Sequence, residues 1–326
     1  MKTRVFIGVL VAMLVMAALP LLDSAYALRL GTTASMYAIM AVSWTVIGGF
    51  AGYPSFGTAA FFGLGAYAGG ILVAAGQPLA VAVLAAGLLA FTGALLLGVV
   101  LLRLRGHYFA IASLAVGEVL RELTNAATDL TGGGMGLNVP LTMSGGGIMG
   151  LASYFYWCML GLLVATFVIV HLIERSKLGF GLVCIRQNEA AADMIGVNGT
   201  VYKSLAFGIS GVFVAMAGAI YAAWVNYIEP PDVFDILYSV KPIVMALLGG
   251  LGSIAGAVLG ALVFLGIEEL VWRNFLQIHS GVLGLLVVLL LLFLPNGLMS
   301  FSRSMRGWRM PWGAARGTTT MRGRHG

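Results

Sequence analysis

The chain has 326 residues, of which 60% are hydrophobic and only 9% charged, with a formal net charge of +6. Soluble domains carry about 25% charged residues, so this composition excludes a water-soluble enzyme or binding module and makes lipid the solvent. The positive balance does not point to nucleic acid. Arg303, Arg306, Arg309, Arg316, Arg322 and Arg324 stand in a short tail, and a basic tail behind a membrane span is the ordinary positive-inside signal.

Apolar runs long enough to cross a ~30 Å hydrocarbon core as helices recur along the chain. They do not alternate as barrel strands would. The first run, 5–22, follows Lys2 and Arg4, and Ala25-Tyr26-Ala27 after it resembles a signal-peptidase site. A cleaved leader and a retained helix both fit. The retained helix is favoured because the run is long enough to span and further spans follow at once. Runs 30–50, 55–75 and 79–102 come next, the first two parted by Gly52-Tyr53-Pro54. Run 108–123 is the least apolar, with Glu118, Arg121 and Glu122 on one helical face. An internally paired cluster and a pathway role are both open for these three. Residues 125–147 read as a Gly/Thr/Asn-rich loop, 148–173 as a span, and 174–203 as the longest polar interruption. Within it, 181–195 reads as one short amphipathic helix, with Leu182, Ile185, Ala192 and Ile195 set apart from Arg186, Gln187, Glu189 and Asp193. A span at 205–226, an acidic loop at 227–240, a short apolar run at 242–250 and spans at 254–271 and 282–294 complete the chain.

The expected fold is therefore all-α, a polytopic transmembrane bundle of about ten helical elements. It is compatible with an inverted five-plus-five repeat. Residues 1–300 form the membrane domain, and 301–326 form a basic, unstructured cytoplasmic tail. Both termini are placed in the cytoplasm, because Lys2/Arg4, Arg103/Arg105, Arg175/Lys177/Arg186/Lys203 and the tail agree only with an even number of crossings between them. That parity requires 242–250 and 254–271 to be separate arms, as two crossings or a re-entrant pair.

Glycine is abundant at 46 residues, which in lipid favours close helix contact. Gly252, Gly256 and Gly260 fall on one face if helical, and Gly65 and Gly69 repeat the spacing once. Internal packing is preferred over a subunit interface for both. Cys158 and Cys184 read neither as a disulfide nor as a metal site, and His107, His171 and His279 lack metal spacing. No cofactor or metal is expected. The Thr131-Gly132-Gly133-Gly134 stretch offers backbone N–H groups to a passing carboxylate, or is a plain outer loop. No Gly-Lys dipeptide occurs in the chain, so a P-loop is excluded and any ATP drive belongs to a partner.

Four ordered stretches carry a resemblance. They are Gly52-Tyr53-Pro54-Ser55-Phe56-Gly57 running into Gly63-Leu64-Gly65-Ala66-Tyr67; Arg103-Leu104-Arg105-Gly106-His107-Tyr108-Phe109 leading to Leu130-Thr131-Gly132-Gly133; Ile185-Arg186-Gln187-Asn188-Glu189 with Gly196 and Lys203; and Gly249-Gly250-Leu251-Gly252-Ser253 with Gly256 and Gly260. Leu294-Pro295-Asn296-Gly297-Leu298 also fits. Together they resemble the branched-chain amino acid ABC permease family, in its LivM-type branch. The resemblance implies a non-enzymatic permease subunit in a bacterial inner membrane. It works with a second homologous permease, two cytoplasmic ATP-binding subunits and an extracytoplasmic substrate-binding protein, and related permeases move urea or short amides. It also implies that Ile185, Arg186, Asn188, Glu189 and Gly196 belong to a coupling element that docks on the ATPase; Leu182 and Ile185 are then expected to fill an apolar groove there, the alternative being an interfacial helix that lies on the membrane. Positions often basic in the family are Phe180 and Val183 here. Ser55, Gly57, Thr131, Gly132 and Gly133 are candidate pathway residues. The rival class, an ion-coupled secondary transporter, requires ionisable groups at mid-membrane.

Overall fold

In a computed structural model, the structure describes residues 13, 16–22, 24–104, 106–140, 147–274 and 284. Most of run 5–22, Arg105, His279, the span at 282–294, the 294–298 motif and the 301–326 tail lie outside the described residues.

The described chain is helical almost throughout. Helix α1, Ala25–Trp44, opens on Ser24, whose side chain accepts from Ala27 N, and runs on into a π-helical turn, Thr45–Phe50. Helices α2 (Thr58–Ala74), α3 (Leu79–Leu101) and α4 (His107–Ala126) follow. Helix α5 is Gly147–Arg175, and the polar insert folds as α6 (Lys177–Gln187) and α7 (Glu189–Met194). Helix α8 is Gly199–Val225, α9 is Leu237–Gly249 and α10 is Ile254–Asn274. Among the described residues, Ala25–Phe50, α3, α5, α8 and α10 hold segments long and apolar enough to cross a membrane, and α2 is a shorter apolar helix.

Burial sorts the helices. The α1 segment is 89% buried whereas α3 is 28% buried, so α1 is the axis of the bundle and α3 its rim. Leu84, Leu88, Leu96 and Val100 of α3 face outward, and Thr92 among them turns its hydroxyl back onto Leu88 O and Leu89 O, as a lipid-facing stripe requires. Small residues bring α8 onto α2: a side chain at Gly65 or Gly69 would strike the backbone of Ala215 or Ala219.

The bundle has two distinguishable ends. At one, Arg186 reaches the π-turn, and Lys203 reaches the end of α3. This end also carries Arg103, Arg175 and Lys177. At the other, strands β1 (Leu137–Asn138) and β2 (Tyr227–Ile228) pair antiparallel, Leu137 opposite Ile228. Two links enter the bundle from these opposite ends, the first without helix and the second holding one helical turn, Pro230–Val233. Residues 51–57 lead into α2, with Trp44 Nε1 donating to Ser55 O at 2.8 Å and Phe56 N to Ser113 Oγ at 2.9 Å. Residues 229–236 lead into α9. The starts of α2 and α9 meet through Ser239, whose Oγ accepts from Ala59 N at 2.9 Å and donates to Phe56 O at 2.6 Å.

Three expectations need correction. The insert is not one helix over 181–195, because Asn188 is extended and ends α6 while capping α7. Helix α9 begins at Leu237, inside the expected acidic loop, and carries Pro242 in its interior. Asp235 Oδ1 accepts from Leu237 N at 2.8 Å and so fixes that earlier start. Gly252 does not share a helix face with Gly256 and Gly260. It sits in the α9–α10 turn at φ +77°, while a Cβ at Gly256 would come 2.5 Å from Gly249 O of α9.

Candidate functional site

The polar insert is built onto the basic end by its own caps. Ser176 accepts from Gly179 N at 3.4 Å to start α6, and Asn188 Oδ1 accepts from Ala191 N at 3.2 Å to start α7. Gly196, at φ +85°, makes the turn after α7, and Asn198 Oδ1 accepts from Val201 N at 3.2 Å to start α8. A side chain other than glycine is strained at Gly196 by that dihedral alone.

Two polar links lock the insert to the bundle. Arg186 Nη1 donates to Gly49 O, in the π-turn, at 2.7 Å. Lys203 is 2% exposed and donates to Glu189 Oε1 at 2.5 Å, to Tyr53 Oη at 3.1 Å and to Leu102 O at 3.3 Å. Tyr53 in turn donates to Glu189 Oε2 at 2.9 Å. All three ammonium protons of Lys203 are thereby used. Burial, with the Glu189 carboxylate adding to it, holds the Tyr53 hydroxyl above its ordinary pKa, so it stays a donor.

The placement of the expected coupling residues follows from this. Leu182 is fully buried and Ile185 is 4% exposed, both against the chain's own bundle, so neither can fill a groove on another protein. Of the expected apolar side, Leu182, Ile185 and Ala192 face inward, whereas Ile195 is exposed. Glu189 is committed to Lys203 and Arg186 to Gly49. The outward apolar groups are Phe180, Val183, Met194 and Ile195.

The expected pathway residues do not line an open channel. Ser55 is 3% exposed and Thr131 6% exposed. Ser55 Oγ accepts from Gly57 N at 3.1 Å. Two N–H groups of the glycine stretch are spent internally: Gly132 N donates to Thr128 O and Gly133 N to Thr131 Oγ1. Glu118, Arg121 and Glu122 pair on the open face of α4, Arg121 with Glu118 at 2.8 Å and with Glu122 at 3.3 Å. Cys158 and Cys184 are free thiols, and His171 pairs with Glu174.

A second lysine–glutamate pair escaped the sequence reading. Lys241 Nζ on α9 donates to Glu268 Oε1 on α10 at 2.6 Å, and lies 5.4 Å from the centre of the Tyr37 ring on α1. Its signal was present: Lys241 and Glu268 both interrupt apolar sequence.

A multi-pass helical bundle with a capped two-helix insert at its basic end defines a membrane permease. The family model described as the permease component of the branched-chain amino acid transport system matches residues 26–294. The high-affinity branched-chain amino acid transport permease LivM of Escherichia coli K12 is 30% identical, over 94% of this chain and 78% of its own. LivH of Salmonella typhimurium is 24% identical over 82% of this chain, and a probable LivM of Methanocaldococcus jannaschii is 24% identical over 81%. No solved structure gives a significant match. The chain belongs to the branched-chain amino acid ABC transport permease family.

Proposed function

We propose that this chain is the membrane-spanning subunit of an ATP-driven importer for branched-chain amino acids in a bacterial inner membrane. A second homologous permease, two cytoplasmic ATP-binding subunits and an extracytoplasmic binding protein complete the assembly. The basic end is cytoplasmic, as the positive-inside rule requires, and both termini lie on that side. The inverted five-plus-five repeat is supported by the two links, 51–57 and 229–236, which enter from opposite ends and lead into helices whose starts meet through Ser239.

The observation that carries the reading is the α6–α7 insert. It is bolted to the bundle by Arg186 and the Glu189–Lys203 pair, yet presents Phe180, Val183, Met194 and Ile195 outward. An apolar patch on a polar cytoplasmic insert needs a partner. The ATPase is that partner, and the docking is apolar. Arg186, Asn188, Glu189 and Gly196 act as positioning residues beneath it. The test is the reconstituted complex with Phe180→Asp and Met194→Asp. Insertion should be normal, while stimulation of ATPase activity by loaded binding protein should fall by about 10-fold or more, as for interface anchors worth ~2 kcal/mol. Full stimulation would remove the docking role. Uptake by wild-type permease with no ATPase present would instead favour an ion-coupled carrier.

A further inference from the structure

We propose that the cavity between the outer halves of α1, α9 and α10 binds a zwitterionic α-amino acid, with Glu268 taking its ammonium and Lys241 its carboxylate. The inference rests on the permease reading above and names where inside this subunit the substrate pauses. The cavity measures about 280 Å³. That is at the low end for ligand pockets and suits a small molecule.

Depth is the first reason. Glu268 lies fourteen residues beyond the start of α10 at the basic end, roughly 21 Å along the helix at 1.5 Å per residue. This is past the middle of a ~30 Å hydrocarbon core. An ion pair there bears a desolvation penalty that its mutual attraction need not repay. Charges inside spans face a cavity or pathway and mark one, and both partners line this cavity.

Incomplete satisfaction is the second. Glu268 Oε1 accepts from Lys241, while its Oε2 is buried with no donor. Lys241 places one hydrogen bond on Glu268 and rests near the Tyr37 ring, although an ammonium has three protons to donate. A carboxylate with one sealed, unpartnered oxygen is costly, and a turn of the Glu268 side chain is needed to bring that oxygen to a donor in the cavity. The pair thus offers one acceptor and spare donors side by side. A ligand with both an ammonium and a carboxylate uses both; a ligand with one charge leaves the other group stranded.

The remaining wall fits the rest of such a ligand. Leu30 and Leu265 supply an apolar surface for an aliphatic side chain. Arg29, a turn from Thr33 near the outer end of α1, adds a positive charge to the lining, and Glu269, which accepts from the Tyr26 hydroxyl, adds a negative one. A phosphatidylethanolamine headgroup shares the zwitterionic chemistry, so the test must separate the two sources.

The test uses the permease–ATPase complex in vesicles, with Cys158→Ser, Cys184→Ser and Thr33→Cys, and an impermeant thiol reagent added from outside. L-leucine should slow labelling. Isopentylamine and 4-methylpentanoate, which each lack one charge, should not. Equal effects of all three, or no effect of leucine, would overturn the proposal. Labelling that follows the phosphatidylethanolamine content and ignores leucine would overturn it in favour of a lipid site. The second arm is uptake by the complete transporter carrying Lys241→Met with Glu268→Gln, which removes both charges together. Normal assembly with uptake reduced at least about tenfold is expected. Wild-type uptake in this double variant would make the pair merely structural. Absence of ATP-dependent leucine uptake in the wild type would instead count against the importer reading, and the labelling arm would still decide the site.

Discussion

The chain contains two inward-facing lysine–glutamate pairs of nearly equal length, Lys203–Glu189 at 2.5 Å and Lys241–Glu268 at 2.6 Å. Their surroundings differ. The first is saturated: Lys203 also donates to Tyr53 and to Leu102 O, and Tyr53 closes the ring onto Glu189. Nothing is left over for a ligand, and the pair ties the insert to α3 and to the link before α2. The second is unsaturated, stands beside a cavity, and joins α9 to α10 through a single hydrogen bond. Ion-pair length therefore says little about role. What the remaining lone pairs and protons do says more.

The contrast can be broken at either pair, with stability of the folded, detergent-extracted subunit as the common readout. The largest loss is expected for Lys203→Met, which takes the counter-charge from Glu189 and a donor from the Leu102 carbonyl. Removing one partner of a buried pair costs about 3–5 kcal/mol, seen as a large fall in the fraction surviving thermal challenge. Next comes Gly256→Leu, where a bulky side chain meets the Gly249 backbone. Overpacking of about 1–3 kcal/mol should part α9 from α10 and lower assembled complex, while the Lys203 cluster stays intact. Tyr53→Phe keeps the ring over Lys203 but deletes two hydrogen bonds, for a loss of about 1–3 kcal/mol at the lower end of that range. The smallest effect is expected for Lys241→Met with Glu268→Gln, within about 1 kcal/mol of wild type, because neutralising both partners spares their desolvation. A large destabilisation there would erase the distinction between the pairs.

Span positions were legible because apolar runs mark them directly, and α3 matches its run to within one residue. Partnerships were not legible. Lys203 reads as a cytoplasmic positive charge, yet it sits in the first turns of α8 with its stem buried, because Glu189 is carried back to it by the turn at Gly196. Lys241 and Glu268 lie 27 residues apart on different helices, beyond any local periodicity. The apolar run at 242–250 marks only the later part of α9. The actual start is set by Asp235, and Pro242 is tolerated further in. The direction of the α6 face was beyond the pattern too: periodicity gives an apolar side, but not which protein that side touches.

The corner at Asn188 has a mechanical reading. One residue ends α6 and caps α7, with no linker between them. Such a joint stores almost no slack, so a push on one arm becomes a rotation of the other, as in a crank. A loop of several residues would absorb the same push as entropy. Inserting Gly-Gly after Asn188 would give this crank a loose bearing: each arm would still be held, α6 through Arg186 and α7 through Glu189, but motion at one would no longer oblige motion at the other.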